Sequence, residues 1–230
     1  MDPVGGVSGG YLVSIYAVAK PNGPGPYCVP NEYICGRLGL FVGLPVPPGG
    51  IVTIDSKPWY ASMNFNLNGV SLPPVDIPEC LRQLPRLSAG LLLFDILVMN
   101  ADRHRGNFAV DFAETPPAMN VFDFSHALLG TKAGQAEADL TANLDALGIP
   151  GHALTAAIST DSFFEEWFSR IEQIPDFLID DVTSRATEMG LTIGEASAAA
   201  KCLKHRRSNL RDIAKAHRTD FKGIIQWTLW

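Results

Sequence analysis

Asp102 and Asn107 stand five positions apart in the stretch Asn100-Ala-Asp-Arg-His-Arg-Gly-Asn107, and Asp123 follows in Val121-Phe-Asp-Phe-Ser-His-Ala-Leu128. Upstream lie Gly5-Gly-Val-Ser-Gly-Gly10, Lys20 at the end of an apolar stretch, and Glu32. Phosphoryl transfer from ATP draws on this set of residue types, because most of its catalysis is positioning and charge neutralisation. A lysine holds the phosphates, and a carboxylate holds the lysine. An aspartate orients the attacking hydroxyl. An amide and a second carboxylate hold magnesium, which takes oxygen ligands. The interval Asp-x-x-x-x-Asn is also that of the protein-kinase catalytic loop.

Such a site needs elements that bring distant residues together. Residues 11–20 are rich in Tyr, Val, Ile and Ala and read as a strand ending at Lys20. Residues 31–42 have helical spacing, with Asn31 able to cap and Glu32 in the first turn. Residues 51–54 and 59–65 read as strands around a turn at 55–58. A helix over 87–99, apolar nearly all round, belongs in the core and leads into the Asn100–Asn107 loop. Its Asp95 needs partners if buried, and a brace for the loop is one role for it. Strands over 108–112 and 119–122 form a hairpin. Phe108 opposite Phe122 and Phe112 opposite Ala118 would set Asn107 beside Asp123. After Gly130 the chain reads helical. Ser162-Phe-Phe-Glu165 and Thr192-Ile-Gly-Glu195 have capping-box spacing, the second opening a helix through about 215. Phe164, Trp167, Phe168 and Ile171 form a core stripe.

The paired motifs Asn100–Asn107 and Val121–Leu128 resemble the HipA-like kinases, and also the catalytic loop of the related phosphatidylinositol kinases. Ala17-Val-Ala-Lys20, Asn31-Glu32 and Leu38-Gly-Leu-Phe-Val-Gly-Leu-Pro-Val-Pro-Pro48 fit the same family. The resemblance runs from about 11 to 129 and more weakly beyond. It implies an α+β, protein-kinase-like two-lobed fold. Residues 1–66 would form a reduced, β-rich small lobe, and 67–230 a mainly helical lobe. It also implies ATP- and magnesium-dependent phosphorylation of a protein serine or threonine. Known targets of the family include aminoacyl-tRNA synthetases. Asp102 then becomes the catalytic aspartate, Asn107 and Asp123 the magnesium ligands, Lys20 the phosphate-binding lysine and Glu32 its partner. Asn100, His104 and His126 support the loop. Ser8 stands where members of the family carry an autophosphorylated serine. The chain departs from ordinary kinases in lacking Gly-x-Gly-x-x-Gly and in having Phe-Ser-His after Asp123.

Other readings stay open. A pseudokinase would hold nucleotide or a partner without turnover. A metal-dependent hydrolase would use Asp102, His104, Asp123 and His126 as mixed ligands. Arg103 and Arg105 fit either contact with substrate or phosphate, or exposure to solvent. The composition suits a folded chain: 230 residues, 47% hydrophobic and 18% charged. Its formal charge of −6 is uneven, because residues 201–222 hold eight Lys/Arg against Asp212 and Asp220. That stretch reads as a solvated helix face, with nucleic acid or an acidic partner as the other reading. Few aromatics interleave there, so a single-strand stacking platform is not expected. No signal-like start and no run of about 18 apolar residues are seen. The four cysteines form no C-x-x-C pair. Free thiols in a cytoplasmic protein are the expectation.

Overall fold

The computed structural model of the chain describes residues 2–4, 10–12, 14–23, 25–66 and 72–230. The glycine-rich 5–9 stretch with Ser8 lies outside the described residues, as does 67–71, where the junction between the expected lobes falls. Helices and small antiparallel sheets make up the molecule.

Strands β1 (Asp2–Val4) and β2 (Gly10–Leu12) pair with each other. The expected 11–20 strand is divided: residues 14–16 are irregular, and β3 covers Ala17–Pro21. A second sheet joins β3, β5 (Lys57–Met63) and β4 (Gly49–Ile54) in the order β3-β5-β4. Asp55 and Ser56 turn β4 into β5 with φ of 49° and 59°. Two successive positive φ angles are what a two-residue hairpin turn of matching twist requires. Lys20 pairs opposite Tyr60, so both side chains leave the same face of the sheet.

Helix α1 (Cys28–Phe41) begins three residues earlier than its apolar spacing suggests. Pro30 falls in the first turn, where a missing N–H costs nothing. Asn31 is therefore inside the helix and buried, not a cap. Helix α2 (Ile77–Gln83) is an element the periodicity missed; the Asp76 side chain caps it, accepting from Glu79 N at 3.1 Å. Helix α3 (Pro85–Leu97) buries every residue from Ser88 to Leu97. It packs on α2, on α5 (Phe164–Glu172) and on α7 (Ile193–Ala216). Gly90 of α3 faces the Trp167 ring of α5, where a Cβ would come within 2.2 Å of it. This close approach lets the α5 stripe Phe164, Trp167, Phe168 and Ile171 bury fully.

Helices α4 (Ala136–Ala142) and α6 (Asp176–Arg185) also pack on α7, and α6 and the 3-10 turn Ala186–Met189 touch α1. The α7 start carries the full capping box of Thr192 and Glu195. The α5 start does not: Phe163 holds the cap position without a side-chain bond, and Ser162 bonds Thr160 instead. A local hydroxyl partner two residues back outcompetes the box.

The basic 201–222 stretch is not a solvated face throughout. Arg206 is fully buried. It donates to the carbonyls of Ile96 and Leu97 at the α3 C-terminus, and to those of Asn143, Leu144 and Ala146. Helix C-termini leave such carbonyls unpaired, and a guanidinium fork suits several at once. Lys204 pairs with Asp180, Arg207 with Asp176, and Arg211 with Glu165 and Glu172. Among the described residues, no helix is long and apolar enough to cross a membrane.

Candidate active site

Strands β6 (Phe108–Asp111) and β7 (Ala118–Val121) form the hairpin that follows the loop. Its register differs by one from the expected pairing: Phe108 lies opposite Val121 and Asp111 opposite Ala118. The aromatic Phe122 therefore falls just beyond the ladder, level with Asn107, and Asp123 one residue further. The reason is Arg103. Its Nη1 donates to the carbonyls of both Asn107 and Phe122, clamping the open end of the hairpin.

Arg103 is 1% exposed, so neither earlier reading of it holds. Its Nε donates to Asp95 Oδ2 at 2.8 Å, and its Nη2 to Oδ1 at 3.3 Å. Asn100 Nδ2 donates to Asp95 Oδ1 at 3.1 Å, and His152 Nε2 meets Oδ2 at 3.0 Å. Burial by itself would raise the Asp95 carboxyl; Arg103 and His152 more than offset this and hold it below the usual carboxylate range. Asp95 is thus a fully buried, four-bonded anchor beneath the loop. Arg105, by contrast, is exposed and donates from Nε to the Val75 carbonyl at 2.7 Å.

The loop presents its other side chains upward. Met99 turns the chain out of α3 with a φ of 49°. Asn100, fully buried, accepts from Asp102 N at 3.3 Å. Asn107 Nδ2 donates to the Asp102 carbonyl at 2.7 Å and to Asp102 Oδ2 at 3.3 Å. His126 Nδ1 lies 3.4 Å from the same Oδ2. His104 is exposed, and its Nδ1 accepts from Gly106 N at 3.0 Å, which stiffens the turn.

Lys20 joins the loop to the sheet. Its Nζ lies 2.6 Å from Glu32 Oε1 and 3.0 Å from Asp123 Oδ1. Burial would lower the ammonium, but Glu32 and Asp123 more than reverse this, so Lys20 stays charged with a pKa above the ordinary lysine value. Burial dominates at Glu32 and raises its carboxyl despite Lys20. At Asp123, burial is outweighed by Lys20 and by the Ser125 hydroxyl at 2.6 Å, and the pKa falls. Asp123 holds a φ of 62°, a strained angle for a non-glycine residue. These bonds use Asp123 Oδ1 and Asn107 Nδ2. Asp123 Oδ2 and Asn107 Oδ1 take no part in these bonds.

Lys20 and Asp123 form the wall between two hollows. One, of about 430 Å³, is lined by apolar groups of the sheet, the hairpin and the segments beside them, among them Val18, Val46, Met63, Phe65 and Val121. The other, of about 630 Å³, is lined by Gly23, Gly25, Cys28, Ser125, His126 and Thr131. A planar apolar ring suits the first, and in the wall between the two the Lys20 ammonium is paired with two carboxylates, Glu32 and Asp123.

No family model and no curated protein matches the chain. Among solved structures, it is similar to the crystal structure of a Helicobacter pylori proinflammatory kinase, CtkA, at 16% identity with a TM-score of 0.55 and 85% of each chain covered. The chain has a kinase-like fold. In that fold Lys20, Glu32 and Asp123 line one cleft, although they span more than a hundred positions in sequence, while Asp102 and Asn107 bond each other and Asp102 meets His126, which lines the second hollow with Lys20 and Asp123. Of the four residues named for a hydrolase site, Asp102 and His126 meet at 3.4 Å. Among the described residues, no group of three or more His, Cys, Asp and Glu is placed to hold a metal.

Sequence reasoning missed three supports of the site. Asn31 bonds the Ser125 carbonyl at 2.9 Å and accepts from Leu129 N at 3.1 Å, tying α1 to the segment after Asp123. Tyr27, 3% exposed, donates to Glu195 and accepts from Gly134 N at 3.0 Å. His152 lies 57 positions from Asp95 in a stretch with no periodicity. Only Asn31 had a signal, its place beside Glu32.

Proposed function

We propose that this chain is an ATP- and magnesium-dependent phosphotransferase of HipA-like type, acting on a serine or threonine hydroxyl of a protein. The observation that carries the reading is the Lys20 ammonium held between Glu32 and Asp123 at the mouth of the apolar cleft. In a two-lobed arrangement the adenine ring would lie among Val18, Val46, Met63 and Phe65, leaving its phosphates toward Lys20. Magnesium supplies neutralisation of phosphate charge when bound. Asp123 Oδ2 and Asn107 Oδ1 would hold it, and two hard oxygen donors suit a cation that keeps phosphate and water ligands besides. Asp102 would accept a hydrogen bond from the acceptor hydroxyl and orient it for in-line attack. Asn107 Nδ2, bonded to the Asp102 carbonyl and carboxylate, fixes that side chain in place. Lys20 stays protonated throughout and binds the donor phosphates.

Incubation with γ-labelled ATP and magnesium, with the protein alone and with lysate proteins as acceptors, tests this. Label should pass to protein, and Asp102→Ala should lower the rate by about 10²–10⁴-fold. Absence of transfer by the wild type under all these conditions rules the reading out. A nucleotide-holding module without turnover is the second reading. The direct Lys20–Asp123 pair favours it, since the metal ligand is already engaged by the lysine. Thermal stabilisation by ATP and magnesium without transfer would select it.

A further inference from the structure

We propose that His152 is a positioning residue of the transfer reaction, setting through Asp95 and Arg103 where Asp102 and Asn107 stand. The inference rests on the phosphotransferase reading above. His152 lies on the irregular segment between α4 and α5 and is 5% exposed. Both ring nitrogens are engaged. Nδ1 accepts from Leu154 N at 3.1 Å, so the ring proton sits on Nε2 and is donated to Asp95 Oδ2 at 3.0 Å. Arg103 Nε donates to that same oxygen at 2.8 Å. The other oxygen accepts from Asn100 and from Arg103 Nη2. Donors from three residues, two of them in the loop itself, thus fix the carboxylate in rotation.

Arg103 hands this orientation on. Its Nη1 bonds the carbonyls of Asn107, itself a candidate metal ligand, and of Phe122, the neighbour of the other candidate, Asp123. Its own carbonyl accepts from Ala153 N at 2.9 Å, so the His152 segment grips the loop by backbone as well as by side chain. Without the imidazole donor, Asp95 Oδ2 keeps Arg103 Nε alone. The carboxylate then turns toward the guanidinium, and Arg103 shifts, carrying Asn107 and Phe122 with it. A displacement of well under an ångström at Asn107 is enough to slow a reaction that depends on alignment.

The two functions of the ring separate by substitution. His152→Gln keeps a donor at the Nε2 position and loses the Nδ1 acceptor. His152→Asn does the reverse, keeping the Leu154 bond and with it the local turn. In steady-state transfer from labelled ATP, His152→Gln should stay within about threefold of wild-type kcat, while His152→Asn falls by about tenfold or more. KM for ATP should change less than kcat in both, because Lys20 and Glu32 keep their places and Phe122 is the cleft residue that Arg103 holds. Amide exchange over residues 100–107, which needs no turnover, should be faster in His152→Asn than in His152→Gln. If His152→Asn keeps kcat while His152→Gln loses it, or if both variants exchange like the wild type over 100–107, His152 only shapes its own turn and the proposal is overturned. A wild type that transfers no phosphate, with the exchange difference intact, removes the phosphotransferase reading and leaves only the hold of His152 on the 100–107 loop.

Discussion

Replacement of Arg103 by methionine tests whether the loop is built from beneath. Arg103 and Asp95 are both fully buried, and Arg103 is the cation that balances the carboxylate. Removing one partner of a buried ion pair costs about 3–5 kcal/mol, because the remaining charge stays desolvated. The carbonyls of Asn107 and Phe122 lose the same donor, which adds about 1–3 kcal/mol where water cannot replace it. The expected loss is therefore about 4–8 kcal/mol, a large part of the roughly 5–15 kcal/mol that holds a domain folded. Asn100 and His152 still donate to Asp95 and keep the value toward the lower end. Urea unfolding, followed through the buried Trp167, measures it. Pairing Arg103→Met with Asp95→Asn should recover about 2 kcal/mol or more, since the stranded charge is gone. If Arg103→Met unfolds within about 1 kcal/mol of wild type while phosphoryl transfer falls sharply, the buried-anchor argument fails. Arg103 would then be a substrate contact.

Two further outcomes follow from the charges of the site. The Asp95 carboxyl titrates lower in the folded chain than in the unfolded one, so its contribution is fully present above the unfolded value of about 4 and is lost as pH falls below it. Asp95→Asn should flatten the dependence of urea stability on pH between about 5 and 2, and an unchanged acid limb would show that Asp95 is not the group responsible. The Cys28 thiol, beside Lys20 and Asp123, is pushed up to about 11 by burial and by Glu32. Its iodoacetamide labelling at pH 8 should be about 100-fold slower than that of an ordinary cysteine, rising through pH 10, and rapid labelling at pH 8 would contradict the placement.

What the sequence revealed depended on how local each cause was. Lys20, Glu32 and Asp123 stood out by residue type and order and the fold brings them into contact, while Asp102 and Asn107 stood out by their spacing and bond each other. The apolar 87–99 run and the Thr192 capping box were legible because short-range periodicity and capping decide them. The hairpin register was not, since it is set by Arg103 reaching two carbonyls 15 residues apart, and no spacing within the strands records that. Arg103 itself looked like a loop residue free to meet solvent or phosphate. Asp95 was legible as a brace for the loop, but that Arg103 is what it holds shows only in the fold. Arg206 was misread for a similar reason, because its partners are the carbonyl ends of α3 and the turn after α4, which carry no side-chain signature.

The same distinction explains how a three-stranded sheet can place a lysine accurately. β3 is an edge strand among the described residues, so the sheet alone gives Lys20 limited support. Glu32 must nevertheless stand at one distance from it. Helix α1, which carries Glu32, is fixed mainly from the other side. Tyr27 reaches Glu195 on α7, Asn22 bonds the Met189 carbonyl at 3.0 Å while accepting from Val29 N, and Asn31 bonds the 125–130 segment. That segment follows Asp123 directly. Glu32 and Asp123, the two carboxylates that hold Lys20, are thereby tied to one frame, and the ammonium is located by where they meet. A site assembled in this way needs little from its sheet beyond a strand that delivers Lys20 to the wall of the cleft.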